Sequence, residues 1–140
     1  MNKLIIASAI LALAAFSMNA SAEQLLFTKG GMSKSGSSVA VDYVSDGKSV
    51  GLQIEVDLPS KAQVDLGNFA KSLPKGFTFE HNVSNGKLVI LVVNNLNQPF
   101  PSGLISLGTI KTVGGSSDLI LSKFESVGPT GEILDAEIVQ

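Results

Sequence analysis

Apolar and polar residues alternate strictly between Val50 and Leu58, where Gln53, Glu55 and Asp57 separate apolar neighbours. A period of two places the apolar side chains on one side of the chain, so this segment is predicted to be a strand with one buried and one solvated face. All 14 glycines and all 5 prolines lie after residue 22 and divide the chain into short apolar segments. The pattern predicts an all-β protein, a two-sheet antiparallel β-sandwich of about eight strands. The predicted strands are Leu25–Thr28, Ser38–Val44, Val50–Leu58, Phe77–Val83, Lys87–Asn94, Leu104–Val113, Leu119–Val127 and Glu132–Val139.

Two dipeptides, Asp46-Gly47 and Asn85-Gly86, have the composition of two-residue hairpin turns. Asp, Asn and Gly tolerate the positive φ angles that such turns need, and each dipeptide lies between β-prone segments. Each therefore predicts a hairpin. The Gly- and Ser-rich stretch from Gly30 to Ser38 is predicted to be a flexible loop.

The segment after Asp65 breaks the β pattern. Asp65 can cap a helix, and apolar residues at helical spacing run from Leu66 to Leu73, where Pro74 prevents continuation. This predicts at most one short helix of two turns. A bulged loop is the alternative, because Gly67 disfavours a helix by about 1 kcal/mol relative to alanine.

The first 22 residues have the pattern of a secretory signal peptide. Asn2 and Lys3 precede an apolar run of about 15 residues, which is shorter than the roughly 20 that span a bilayer. The small residues of Ala20-Ser21-Ala22 form a cleavage pattern. We expect residues 1–22 to be removed, leaving 23–140 as a single sandwich domain that is secreted or periplasmic in a bacterium. Without a cysteine for lipid attachment, no stable membrane insertion is predicted after cleavage.

The amino-acid composition excludes several kinds of chemistry. The chain has no Cys, no Trp and, among its 10 basic residues, no Arg, so disulfides, thiolate catalysis and arginine-based nucleic-acid recognition are excluded. Ser45 and Ser84 each lie three residues before a lysine, but in predicted turns rather than in the helix that a Ser-x-x-Lys nucleophile needs. His81, the only histidine, is predicted to be an exposed or rim residue of a strand. The sequence therefore predicts no catalytic residue, no cofactor, no metal site and no nucleic-acid partner.

The segment Lys87–Asn94 is apolar on both faces. Leu88, Ile90 and Val92 would lie on one face and Val89, Leu91 and Val93 on the other, and only one face can meet the core. The second face is either covered by the Leu66–Leu73 segment and neighbouring loops or exposed to a protein partner. In the second case Val89, Leu91 and Val93 are the candidate partner-binding residues.

Sugar binding by a β-sandwich is the alternative function. Sugar-binding sites favour exposed aromatic rings, and the chain has one Tyr besides its phenylalanines. Four phenylalanines are predicted to fill the core, namely Phe69, Phe77, Phe79 and Phe124. Tyr43 and Phe100 then remain as the predicted exposed rings of a carbohydrate-binding module in an envelope or extracellular polysaccharide system.

The order of several motifs resembles that of cohesin domains, β-sandwich modules of the wider carbohydrate-binding superfamily of folds. The motifs are an alternating strand that ends in an acidic-proline turn, a Gly-Phe-x-Phe segment, an Asn-Gly hairpin, a Pro-x-Gly-x-Leu strand entry and a Gly-rich turn before the last strand. They lie at Gly51–Pro59, Gly76–Phe79, Asn85–Leu88, Pro101–Leu107 and Gly128–Gly131.

The resemblance implies a jelly-roll-like sandwich and a function in protein–protein attachment, since cohesins bind dockerin modules through one sheet face. It also implies that the strands at Lys87–Asn94 and Leu104–Val113 belong to the binding sheet. The sequence thus predicts a non-enzymatic binding module whose partner is dockerin-like or another envelope or surface protein.

Overall fold

The computed structural model describes residues 23–33, 36–114 and 119–140, and the predicted signal peptide lies outside these ranges. Ten strands form within them and are arranged in two sheets. The back sheet has the order β10-β1-β2-β7-β4, and the front sheet has the order β5-β6-β3-β8-β9. The strands are β1 (Glu23–Ser33), β2 (Gly36–Ser45), β3 (Gly51–Asp57), β4 (Gln63–Asp65), β5 (Phe77–Ser84), β6 (Lys87–Asn94), β7 (Gly103–Val113), β8 (Ile120–Val127), β9 (Ile133–Leu134) and β10 (Ala136–Val139).

The predicted β-sandwich is confirmed. All described strand pairs are antiparallel except β1 with β10, which run parallel. The alternating strand β3 lies in the middle of the front sheet, and its apolar side chains Leu52, Ile54 and Val56 are buried between the sheets. The described ranges contain no helix with the length and apolarity that crossing a membrane would require.

The hairpin predicted at Asn85-Gly86 is confirmed. Asn85 has φ 54° and Gly86 has φ 75°, the two positive angles of a type I′ turn. The turn joins β5 to β6 and fixes their register, with Ser84 opposite Lys87 and Glu80 opposite Leu91. This register decides which residues of β6 point inward.

The hairpin predicted at Asp46-Gly47 is wrong. Strand β2 pairs with β1 and β7 in the back sheet, whereas β3 pairs with β6 and β8 in the front sheet, so this connection crosses the sandwich. Of the two turn residues only Gly47 has a positive φ, at 83°. Side chains before and within the turn hold it instead, because Ser45 Oγ accepts from Gly47 N at 3.0 Å and Asp46 Oδ1 accepts from Lys48 N at 3.1 Å.

The flexible loop predicted from Gly30 to Ser38 is also wrong for most of its length. Strand β1 continues to Ser33 and β2 begins at Gly36, and the two pair as far as Ser33 with Gly36. The register shifts between Lys29 and Met32, and residues 34 and 35 of the predicted loop lie outside the described ranges. Glycine and serine in an antiparallel pair cost stability but do not prevent pairing when the flanking residues are in register.

The segment after Asp65 adopts the bulged loop rather than the helix. Asp65 ends the short strand β4, which the sequence did not indicate, and its Oδ1 accepts from Gly67 N at 2.8 Å in a turn. Phe69 then forms an isolated bridge with Gly108 of β7 and is buried. Ala70 follows with φ 63°, outside the helical region.

The strand predicted from Glu132 to Val139 is two strands in different sheets. Ile133 and Leu134 pair with β8 in the front sheet, and Ala136–Val139 pairs with β1 in the back sheet. The chain thus closes one side of the sandwich with a single intervening residue, Asp135. No glycine or proline lies between Glu132 and Val139, so the turn signals that separate the other strands do not mark this change of sheet.

Candidate functional site

Strand β6 separates two sets of apolar side chains. Leu88, Ile90 and Val92 are fully buried in the core, while Leu91 and Val93 are each 40% exposed on the opposite side and Val89 is partly exposed. We call the outward side of β5, β6, β3, β8 and β9 the front face. The structure therefore places the candidate partner-binding residues together on an accessible surface.

The predicted cover of this stripe does not lie on it. The Leu66–Leu73 segment bridges to β7 of the back sheet through Phe69, and Phe69 packs against Phe79 in an edge-to-face contact with ring centroids 5.6 Å apart. Leu66 and Leu73 pack against the core. The segment closes the open side of the sandwich and leaves the front face accessible.

Polar strands border the apolar stripe on both sides. On the β5 side Glu80 lies opposite Leu91 and Asn82 opposite Val89, and both are exposed. On the β3 side Gln53 lies opposite Leu91 and Glu55 opposite Val89. The regular register of these strands makes an extended surface with an apolar centre and a polar border, the arrangement typical of protein interfaces.

A second apolar row crosses the front face at one end. Gly51 of β3 lies between Val93 of β6 and Val127 of β8, and Val127 pairs with Ile133 of β9. Ile133 is strongly exposed. The sequence alone does not mark Val127 or Ile133, because each belongs to an ordinary strand pattern and only the pairing brings them beside Val93.

Ion pairs organise the other end of the front face. Lys87 Nζ lies 3.1 Å from Asp57 and 3.8 Å from Glu55, and Lys123 Nζ lies 4.0 Å from Glu55 and 3.6 Å from Glu125. Gln53 Nε2 donates to Glu55 Oε2 at 2.8 Å. With exposed Glu80, four carboxylates and two ammonium groups occupy this face. The net charge of these six groups is negative, which a neutral or basic surface would complement.

The predicted exposure of Tyr43 and Phe100 is wrong. Both rings are buried between the sheets, where Phe100 stacks on Phe77 with centroids 3.8 Å apart and meets Tyr43 edge-on at 5.1 Å. The backbone N of Phe100 donates to Ser49 O at 2.8 Å, which folds the Pro-flanked segment inward. Neither ring presents a face on which a sugar could stack.

One buried polar cluster was not foreseen. The hydroxyl of Tyr43 and that of Ser126 both donate to Oε1 of Glu23, the latter at 2.6 Å, and all three side chains are buried. Burial raises the pKa of Glu23 above its ordinary value, although the two hydroxyl donors oppose that shift. Burial, with the neighbouring Glu23, likewise raises the pKa of Tyr43. Nothing in the sequence around Glu23 marks it as a core residue.

Side chains that could form a metal site do not converge in the part of the chain that the structure describes. No cluster of three or more His, Asp or Glu side chains able to hold a metal ion occurs there. His81 is exposed on edge strand β5 and stacks on Phe79, in agreement with the prediction of a rim residue. Ser84 lies opposite Lys87 across the hairpin turn, and Ser45 precedes the crossing between the sheets.

Comparison with known proteins identifies the fold. No protein-family model matches the chain, and no curated protein matches it. Among solved structures, a non-cellulosomal cohesin from the hyperthermophilic archaeon Archaeoglobus fulgidus gives a TM-score of 0.62 at 16% identity, over 84% of this chain and 86% of that one. A type II cohesin domain from the cellulosome of Acetivibrio cellulolyticus gives 0.61 at 7% identity, over 84% and 92%. The third ScaB cohesin of R. flavefaciens, in complex with a group 1 dockerin, gives 0.59 at 12% identity, over 88% and 94%.

The protein is therefore a two-sheet β-sandwich, and more narrowly one with a cohesin-like fold. The resemblance that the sequence motifs suggested is confirmed for the fold. The resemblance also implied that the strands at Lys87–Asn94 and Leu104–Val113 share one binding sheet. This is wrong, because β6 lies in the front sheet and β7 in the back sheet. The chain passes between the two sheets through the segment in which Phe100 enters the core.

Proposed function

We propose that this protein is a non-enzymatic binding module that attaches to a protein partner through its front face. The observation that carries the proposal is the exposed apolar stripe of Val89, Leu91 and Val93 on a regular sheet surface. Apolar side chains in the middle of a polar border gain free energy when a partner removes them from water, about 25 cal/mol for each Å² buried.

The remainder of the front face supports the same function. Val127 and Ile133 extend the apolar surface across β8 and β9. The carboxylates and lysines at the opposite end would orient a partner and favour a neutral or basic one. Since the backbone of the central strands is fixed by pairing on both sides, little conformational entropy is lost when a partner binds.

The similar structures support a partner of the dockerin type. The R. flavefaciens cohesin, which shares the fold over most of both chains, was solved with a dockerin bound. A dockerin-like module or another envelope or surface protein is thus the partner class that we propose. The predicted signal peptide of residues 1–22 would place the meeting of the two proteins in the periplasm or outside the cell.

The alternative of a carbohydrate-binding module has lost the residues on which it rested. Tyr43 and Phe100 are core residues, and their aromatic contacts are with Phe77, Phe124 and each other. The front face carries no aromatic side chain in the described strands. The structure gives no observation that favours polysaccharide over protein as the partner.

The test is affinity capture with three immobilised baits from the same preparation of secreted and envelope proteins. The baits are the wild type, Leu91→Lys on the front face and Leu104→Lys on the back sheet. Leu104 is 68% exposed on β7, so it makes a matched control of the same residue type and the same substitution. We expect one protein to be retained by the wild type and Leu104→Lys but lost from Leu91→Lys. Equal retention on all three baits would exclude the front face as the binding surface.

A further inference from the structure

Strand β5 is an edge strand without the usual protection. It has eight residues, whereas the other edge strands of the described sheets, β10, β4 and β9, have four, three and two. Natural proteins protect edge strands with lysine, proline or a bulge. β5 contains neither lysine nor proline, it pairs with β6 in unbroken register, and residues 80–84 are all exposed. Its outer edge is therefore open to another strand.

The outer edge of β5 presents the backbone groups of alternate residues. The hydrogen bond that closes a type I′ turn joins the residues on either side of it, here Ser84 and Lys87, so Ser84 and every second residue before it face β6. Gly76 belongs to this set, and its oxygen accepts from Asn95 N at 3.2 Å on the β6 side. Three residues consequently direct both backbone groups toward the open edge, namely Phe79, His81 and Val83.

We propose that β5 is a self-association site, where it pairs antiparallel with β5 of a second copy of this chain about a two-fold axis at His81. In this register His81 lies opposite its own counterpart, and Phe79 lies opposite Val83 of the second copy. Each opposed pair exchanges two N–H to O=C bonds, so the two edges form about six hydrogen bonds.

The inner side chains of β5 match one another in this register. Val83 is 48% exposed, and the pairing places it beside Phe79 of the second copy, an aromatic and β-branched pair of the kind that stabilises antiparallel strands. His81 stacks on Phe79 of its own strand with ring centroids 5.9 Å apart, and its counterpart extends this cluster across the axis. The inner side of β5 carries no carboxylate or ammonium group that would oppose a like charge.

The front-face side chains of β5 match in the same register. Thr78 lies opposite Ser84 of the second copy, and Glu80 lies opposite Asn82, whose amide can donate to the carboxylate. A register centred on Glu80 would place two carboxylates directly opposite each other, which is destabilising. A register centred on Asn82 would leave Phe79 opposite the turn. The self-complementary sequence thus selects a second copy as the occupant and His81 as the centre.

This dimer would join two front sheets edge to edge and leave the apolar stripe on β6 of each copy uncovered. A pair of single strands buries less than the roughly 1,000 Å² that stable complexes usually exceed, so the association should be weak. The dimer would therefore form where the protein is concentrated, and would present two attachment surfaces side by side.

The test is sedimentation equilibrium of the purified protein at about pH 8, above the range in which histidine ordinarily titrates, and at concentrations up to about 1 mM. The mean mass of the wild type should rise toward twice the monomer mass. His81→Lys places two ammonium groups directly opposite each other and should raise the dissociation constant about 10-fold. Asn82→Lys, the matched control with the same added charge one residue away, lies opposite Glu80 and should lower it about fivefold.

Mixing two variants tests the two-fold axis itself. His81→Lys and His81→Glu should each stay largely monomeric alone, because like charges oppose each other at the axis. An equimolar mixture at the same total concentration should show a higher mean mass, because a carboxylate then lies opposite an ammonium group. A wild type that is monomeric throughout would overturn the proposal, as would no rise on mixing or an Asn82→Lys variant weakened as much as His81→Lys.

Amide NMR of the wild type supplies a local readout that needs no variant. The resonances of Phe79, His81 and Val83 should shift as the protein concentration rises, while that of Gln63 on the edge strand β4 should not. Concentration-dependent shifts that leave β5 out would overturn the proposal even if the protein dimerises.

Discussion

The two faces of β6 carry almost the same side chains and have opposite environments. Leu88, Ile90 and Val92 fill the core, whereas Val89, Leu91 and Val93 lie on the front face among charged and polar neighbours. The inner set explains why the sandwich is stable. The outer set contributes little to the fold, because burial against the second sheet is available on one side only.

The difference between the two faces shows that apolar content does not by itself identify a core strand. A sandwich strand with one solvated face needs polar residues there, as β3 has with Gln53, Glu55 and Asp57. Strand β6 lies beside β3 in the same sheet and breaks this rule. We infer that this departure serves binding. We therefore expect the same truncation of a side chain to affect stability differently on the two faces of β6.

The largest effect is expected from truncation of the inner face. Ile90→Ala removes three carbons from a fully buried side chain in the middle of the core. It should lower the free energy of unfolding by about 2–5 kcal/mol, the loss typical of such cavities. Urea unfolding followed by circular dichroism measures this change. A loss below about 1 kcal/mol would mean that the inner face is not close-packed.

A smaller effect on the free energy of unfolding is expected from a substitution in the β5–β6 turn, which fixes the residues of β6 that point inward. Gly86 has φ 75° with open space around the position of a side chain, so Gly86→Ala meets no clash but must adopt a left-handed backbone. The cost should be about 1 kcal/mol in the same unfolding assay. The register of β5 and β6 should survive, which cross-strand NOEs between Glu80 and Leu91 would show. An increase in stability would contradict the type I′ assignment.

The smallest effect on stability is expected from the outer face. Leu91→Ala removes the same number of carbons as Ile90→Ala, but from a side chain that is already 40% exposed. The free energy of unfolding should change by less than about 1 kcal/mol. Comparison of the two variants in one urea series isolates the effect of burial from that of side-chain size. Equal losses would show that the front face is covered in solution.

Strand positions could be predicted where the alternation was strong, and connections between sheets could not. The heptapeptides Val44–Val50 and Val83–Val89 share the pattern Val-Ser-Asx-Gly-Lys-x-Val, yet the second forms a hairpin and the first crosses the sandwich. The sixth residue differs between the two heptapeptides. In the crossing it is buried Ser49, which donates to Gly51 O at 2.8 Å, and in the hairpin it is buried Leu88. A turn dipeptide specifies local φ angles, and long-range packing decides which strands then pair.

The candidate site could be predicted only in part for the same reason. Alternation along β6 places Val89, Leu91 and Val93 on one face without any knowledge of the fold. Val127 and Ile133 join them only through pairing across three strands. The wrong prediction of exposure for Tyr43 and Phe100 has a related cause. The prolines beside Phe100 and the hydroxyl of Tyr43 suggested surface positions. In the structure Phe100 instead stacks on Phe77, and the Tyr43 hydroxyl bonds to buried Glu23.

The most direct test of the front face as the attachment surface is the dissociation constant of the purified partner for three forms of the protein, measured by calorimetry at one salt concentration. Leu91→Lys should weaken binding about 100-fold, which corresponds to about 2.7 kcal/mol, since it places a charge in the centre of the apolar stripe. Leu104→Lys, at a leucine that is more exposed than Leu91 and lies on the back sheet, should stay within about twofold of the wild type. Binding that is unchanged in Leu91→Lys, or lost in Leu104→Lys alone, would contradict the claim that the front face is the attachment surface.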